Sequence, residues 1–374
     1  MTRTHLTASD FSATLLAACC LTLALLFFFE PRPALAQQQT PAVESQASAS
    51  DPEVERGVQL YRQNDMEGAV KVLSAAVKKS KDDPTAWLYL GQALMWRGEM
   101  REALKANQRA LKLAPNLAAA HAARALLFAL MDNRREAESS ARHALQLDSR
   151  NLEAHYVRGV LYLRAGAWLK AIEEADAIIR LNDSYAPAYS LKAQALIGVY
   201  ERGVNILSEK QRGAFDHSIQ TVSEVRAAQP RWLKEAAESL EKYLQLAPQA
   251  QRAEELRAQI EALRFYATLS SADPNQEGRI YQASELTQKA VITFKPEPSY
   301  TEEARRALVT GTVRLRAVLA SDGTVKHILV LNSLPHGLTE RAVAAARKIK
   351  FTPARVNGMP VSQGVLIEYN FNVF

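Results

Sequence analysis

The end of the chain alternates. Val365, Ile367, Tyr369, Phe371 and Val373 fall on one face, and Leu366, Glu368, Asn370, Asn372 and Phe374 on the other. A period of two is that of a half-buried strand. At a sheet edge such a strand offers its unpaired N–H and C=O groups to a partner's backbone. A different period rules the region from about Asp51. Gly91 follows Gly57 by 34 and Gly159 follows Gly91 by twice that, with Ala125 in the slot between. Ala69, Ala103, Ala137 and Ala171 recur at the same spacing, as do Ala76, Ala110 and Ala144. Small residues at fixed points let two antiparallel helices approach closely, while larger apolar residues fill the gaps between them.

Trp87, Leu90, Gly91, Gly98, Ala103, Ala110 and Pro115 carry the fullest unit. The pattern resembles the tetratricopeptide repeat family, an all-α solenoid of helix–turn–helix units with that period. The resemblance implies a concave face lined by Tyr61, Arg62, Leu88, Gln92, Met95, Trp96, Leu126, Leu130, Tyr156, Leu163 and Arg164, a groove for a peptide or protein. Helical spacing alone leaves packing between repeats as the alternative for these residues. A fifth unit reads as split: its first helix lies near Tyr189–Val199, and its second reappears from Ala236 to Pro248. An insertion near 201–232 separates them, and Gln251–Tyr266 is expected as the last helix of a solenoid spanning 51–266.

Residues 267–290 read as a polar linker with a short helix near Tyr281–Gln288. Ser299-Tyr-Thr-Glu302 fits a capping box opening a helix through Leu308. Thr312–Ala320 alternates, Ser321-Asp-Gly-Thr324 is a hairpin turn signal, and Val325–Asn332 returns. Leu338, Ala342, Ala345 and Ile349 mark a helix face, and Asn357-Gly358 turns into the final strand. This order predicts a small α+β domain over 291–374 with a three-stranded antiparallel sheet. Tyr300, Ala304, Gly311-Thr-Val313, Asp322-Gly323, Leu338, Phe351-x-Pro353-Ala354 and Gly358 together resemble the TonB C-terminal domain, with Thr301 standing where that family usually has proline. The resemblance implies capture of an extended peptide, such as a segment of an outer-membrane receptor, by strand addition along Val365, Leu366, Ile367, Glu368, Tyr369, Asn370 and Phe371.

Composition narrows the function. The net charge is +6, and residues 295–374 carry eleven Lys or Arg against six Asp or Glu. These basic residues are scattered without clustered aromatics, which argues for a solvated face and against a nucleic-acid partner. Cys19 and Cys20 are the only cysteines and both lie in an apolar leader, so the folded part has no disulfide, thiolate metal site or cysteine nucleophile. The leader combines Arg3, the apolar run Phe11–Phe29 and Ala34-x-Ala36. It reads as a signal peptide over 1–36, cleaved after Ala36, with 37–50 a flexible tether and the chain exported to the periplasm of a Gram-negative-type cell. The alternative keeps residues 11–29 as an inner-membrane anchor and makes the chain a TonB-type energy transducer for outer-membrane receptor transport. That run has no histidine, and no long Pro-rich spacer is present, so an exported interaction scaffold is the expectation. His121 and His155 share a repeat position and read as packing residues. His217 and His327 have no adjacent nucleophile. With no Gly-rich phosphate loop, H-E-x-x-H or G-x-S-x-G, no catalytic residue, metal site or cofactor is expected.

Overall fold

The computed structural model describes residues 51–202, 222–250, 252–269, 279–281 and 283–372. The leader, the tether and part of the insertion therefore lie outside the described residues. Helices α1 (Pro52–Arg62), α2 (Met66–Lys79), α3 (Pro84–Trp96), α4 (Met100–Leu113), α5 (Ala118–Leu130), α6 (Arg134–Leu147), α7 (Leu152–Arg164) and α8 (Trp168–Leu181) form four hairpins. They are followed by α9 (Ala186–Arg202), α10 (Val222–Leu246) and α11 (Ala253–Leu269). The alanines of both periodic series are 0% exposed, as small residues at helix crossings must be.

Each hairpin turns through one residue in left-handed backbone. Asn64, Gly98, Asp132 and Gly166 have φ of 64°, 85°, 59° and 71°, and they keep the spacing of the alanines. Asn, Asp and Gly are the residues that adopt this conformation at least cost. Side chains of Asp51, Asp65, Asp83 and Asn151 accept from backbone N–H groups in the first turns of α1, α2, α3 and α7. These caps satisfy donors that the helices leave unbonded. Helix α10 begins at Val222, inside the stretch read as insertion, and runs on through Pro230 to Leu246.

The terminal domain has more strands than the three expected. A five-stranded sheet runs β1 (Ile280–Tyr281), β7 (Met359–Phe371), β3 (Gly311–Leu319), β4 (Val325–Asn332), with β6 (Ala354–Val356) also on β7. Strands β2 (Val291–Phe294) and β5 (Lys350–Thr352) form a second, two-stranded sheet. The pairing of β1 with β7 is parallel, so the main sheet is mixed. The additional strands are each too short to show a period. Residues 283–285 form a turn where a short helix was expected. The cap of α12 (Glu302–Arg306) is Thr301, whose Oγ1 accepts from Ala304 N, and not Ser299. Tyr300 explains the shift: its hydroxyl donates to Val309 O at 2.8 Å and its ring packs edge-on to Phe371, which holds residue 300 outside the helix.

One sheet face packs against α12 and α13 (Leu338–Ala346). Val313, Leu315, Ile367, Tyr369 and Phe371 meet Ala304, Leu338, Ala342, Ala345 and Ile349 in a single core. The β6–β7 hairpin closes through Asn357 and Gly358, both with positive φ, the geometry the Asn-Gly pair predicts. Among the described residues the chain divides into two compact units, one holding 51–192 and 242–250, the other holding the rest of the helical residues with the terminal domain.

Candidate functional site

The outer edge of β7 is the first candidate. Pairing with β3 is continuous from Gly311↔Phe371 to Leu319↔Gln363. In an antiparallel pair, successive residues direct their backbone groups alternately toward and away from the partner. Three hydrogen bonds fix which is which. Asn332 Nδ2 donates to Thr312 O at 2.5 Å from the β4 side, so Thr312 turns away from its β7 partner Asn370. Val330 N, opposite Leu315, donates away from β3. Glu368 O accepts from Lys295 Nζ at 2.7 Å. Leu366, Glu368 and Asn370 thus aim their N–H and C=O groups outward, while Val365, Ile367, Tyr369 and Phe371 bond to β3. The close side-chain pairs Thr312–Asn370 and Arg314–Glu368, at 2.7 and 3.1 Å, sit at the non-hydrogen-bonded positions, as they should.

The first part of that edge is covered. β1 pairs with Ser362 and Gln363, Ala290 N donates to the Gln363 side chain, and Gln288 exchanges hydrogen bonds with Arg355. Beyond Gly364 no strand pairs with the outer side of β7 among the described residues. Of the seven residues assigned to capture, Ile367, Tyr369 and Phe371 are buried core, Val365 is half-buried, and Leu366, Glu368 and Asn370 are exposed, Leu366 by 51%. Lys295 was not legible as a site residue. Its ammonium lies 4.6 Å from the Tyr369 ring centroid and on the Glu368 carbonyl, the place an incoming N–H would take. Burial pushes the Tyr369 phenol up to about 12, so it stays neutral under that cation.

The opposite edge of the sheet is closed by a side chain. Gln259 on α11 donates from Nε2 to Ile328 O and accepts at Oε1 from Val330 N, at 3.2 and 2.9 Å. An amide placed this way imitates a neighbouring strand. His327 stacks on Phe265 with ring centroids 3.5 Å apart, and burial lowers its pKa. On the sheet face away from α13, Arg314 pairs with Glu201, and Arg316 bonds Tyr200 and lies over Tyr266.

The solenoid positions behave differently from an open groove. Tyr61, Leu88, Gln92, Met95, Trp96, Leu126, Tyr156 and Leu163 are all buried against the chain's own atoms. Leu130 and Arg164 are half-buried, the latter paired with Asp132, and Arg62 is exposed. Trp96 Nε1 donates to the Tyr61 hydroxyl at 3.3 Å, and Tyr156 meets Tyr185 edge-on. Burial raises the pKa of Tyr61 and Tyr185, to which the nearby buried Glu153 adds, and burial pushes the Glu153 carboxyl itself up to about 8.

The two histidines belong to a ladder. Trp87, His121, His155 and Tyr189 follow the repeat spacing, and each places a side-chain N or O on the carbonyl six positions earlier: Lys81, Pro115, Ser149 and Asp183, at 2.8–3.0 Å. These bonds tie each first helix to the turn before it. His155 Nδ1 also lies 2.6 Å from Glu174 Oε2, a carboxylate partner that sequence spacing did not reveal. Burial lowers the pKa of His121, which accepts at Nδ1 from Arg124. No group of three metal-ligating side chains occurs among the described residues.

Helical hairpins at a fixed period, followed by a small sheet-containing domain, define a helical repeat array joined to a C-terminal α+β domain. Comparison with known families agrees. Residues 54–118 and 122–186 match the tetratricopeptide repeat, and 296–373 match the Gram-negative bacterial TonB protein C-terminal. The chain is thus a tetratricopeptide array followed by a TonB C-terminal domain. Repeats of this kind point to protein–protein interaction and the terminal domain to a TonB-like role. No curated protein matches the chain. Among solved structures it is similar to TTC0263, a thermophilic TPR protein of Thermus thermophilus, at 19% identity and TM-score 0.41, covering 57% of this chain and 97% of that one. It is also similar to MamA, at 20% identity and TM-score 0.36, covering 52% and 92%. PilW, a type IV pilus biogenesis factor, is similar at 16% identity and TM-score 0.39, covering 58% and 94%.

Proposed function

We propose that this protein is an exported, periplasmic interaction scaffold whose terminal domain captures an extended peptide by strand addition to β7. The observation that carries this reading is the row of outward backbone groups at Leu366, Glu368 and Asn370, unpaired with any strand among the described residues while the other sheet edge is closed by Gln259. Main-chain pairing along this row supplies affinity, and the exposed side chains of Leu366, Glu368 and Asn370 supply selection. Lys295 holds one carbonyl until a partner's N–H replaces it. The helical array acts as the scaffold, and an outer-membrane receptor segment is the partner class that the TonB relationship suggests. The apolar run at 11–29 directs export.

A proline at an outward position tests this directly. Proline removes the outward N–H at Glu368 but leaves the bonds to β3, which use its neighbours. Peptides selected from a random library on the full chain are expected to bind Glu368→Pro about tenfold or more weakly and Glu368→Ala nearly as well as the parent. Equal binding by the parent and a folded Glu368→Pro would reject strand addition at this edge.

A further inference from the structure

On the side of α3 away from Leu88, Gln92 and Met95, helices α2 and α4 flank a cleft of about 570 Å³. Its floor is apolar: Val77, Leu90 and Leu94 are buried, and Trp87 lies half-exposed beside them. The indole N–H of Trp87 is already used on the Lys81 carbonyl, so the ring offers only apolar surface. The rim is cationic. Lys78, Lys81, Lys105 and Arg109 line it with Glu102 as the single carboxylate. Together α2 and α4 hold seven Lys or Arg against two Glu.

Lysine stems cover apolar surface on many helices, so cations over a hydrophobic floor are not in themselves a site. Here Arg109 is paired with the 85% exposed Asp82, whereas Lys78, Lys81 and Lys105 have no salt-bridge partner among the described residues. Three ammonium groups around one cleft repel one another and gain from an anion placed between them. Three of the four cations are lysines, which act as point charges without the planar fork of arginine that favours phosphate. A phosphate would also leave the apolar floor unused. A membrane surface calls for apolar residues that protrude, and these are recessed. The volume lies in the range of built binding sites and suits one large side chain with its backbone.

We propose that this cleft binds an acidic peptide segment, with one large apolar side chain seated on Trp87 and Leu94 and flanking carboxylates on Lys78, Lys81 and Lys105. The site is independent of the β7 edge and lies on the opposite side of α3 from the positions expected to form a groove.

The test uses the full chain and a fluorescein-labelled peptide, Glu-Asp-Glu-Leu-Phe-Glu-Asp-Glu, followed by fluorescence anisotropy. Saturable binding that weakens with added salt is expected. Charge reversal in Lys78→Glu/Lys105→Glu, at two exposed positions, is expected to weaken it about tenfold or more. Replacing the peptide's Leu and Phe by Ser is expected to weaken it similarly. If the charge-reversed chain fails to melt cooperatively by circular dichroism, Lys78→Gln/Lys105→Gln takes its place with the same expectation. Absence of saturable binding, binding unchanged in the folded variant, or equal binding of the Ser peptide overturns the proposal. Lysine-dependent binding to phosphatidylglycerol vesicles without binding to the peptide also overturns it, in favour of a membrane surface.

Discussion

Glu153 stands out as the residue whose chemistry is most at odds with its position. Its carboxyl is buried, and burial holds it protonated up to about pH 8, whereas an exposed glutamate ionises near 4.5. The sign follows from proton counting. Between those two pH values the unfolded chain has released a proton that the folded chain keeps, so stability falls as pH rises through that window and levels off above it. Glu153→Gln keeps the shape and cannot ionise. It is expected to be near-neutral at pH 4.5 and to stabilise the array by about 1–3 kcal/mol at pH 8, measured by urea unfolding at both values. An equal effect at the two pH values would show that the carboxyl ionises without cost in the fold. The same neighbourhood of Tyr61, Tyr156 and Tyr185 explains why sequence spacing could not separate groove from packing. Both uses demand large side chains at the same helical positions, and only their burial tells them apart.

At the scale of elements, the fixed period made the helices legible, because a crossing of two helices demands small residues and the alanine series supplies them at 0% exposure. The turns were less legible. Their left-handed position is Asn64, Gly98, Asp132 and Gly166 in succession, three residue types that share a conformation rather than a size. Nothing lies within 4 Å of a side chain added at Gly98, so a substitution there reads the backbone alone. Gly98→Ala is expected to cost about 1–2 kcal/mol and Gly98→Asn distinctly less, by chemical denaturation. Equal costs would mean that the turn relaxes. In the terminal domain, β3, β4 and β7 were readable from alternation and turn residues. The short strands β1, β2, β5 and β6 were not, since pairing partners far along the chain define them and no local period does. Gln259 and Lys295 were invisible for the same reason: each acts on a backbone far along the chain, Gln259 on β4 and Lys295 on β7.

For the molecule as a whole, the contacts of the terminal sheet reach back before residue 291. β1 pairs with β7, and α11 closes β4 through Gln259 and Phe265. A fragment of residues 252–374 is therefore expected to melt cooperatively and remain monomeric. One of residues 291–374 exposes the β4 edge and is expected to melt lower and to self-associate with concentration, by calorimetry and sedimentation. Identical behaviour of the two would make the α11 contact incidental. The proposed strand addition takes place at the other edge, along β7. Residue-resolved amide exchange on the full chain, with and without a selected peptide, tests it most directly. The amides of Leu366, Glu368 and Asn370 are expected to gain protection on binding, while those of Val365, Ile367, Tyr369 and Phe371, already bonded to β3, change little. Protection gained elsewhere, with Leu366, Glu368 and Asn370 still exchanging freely in the complex, would contradict it.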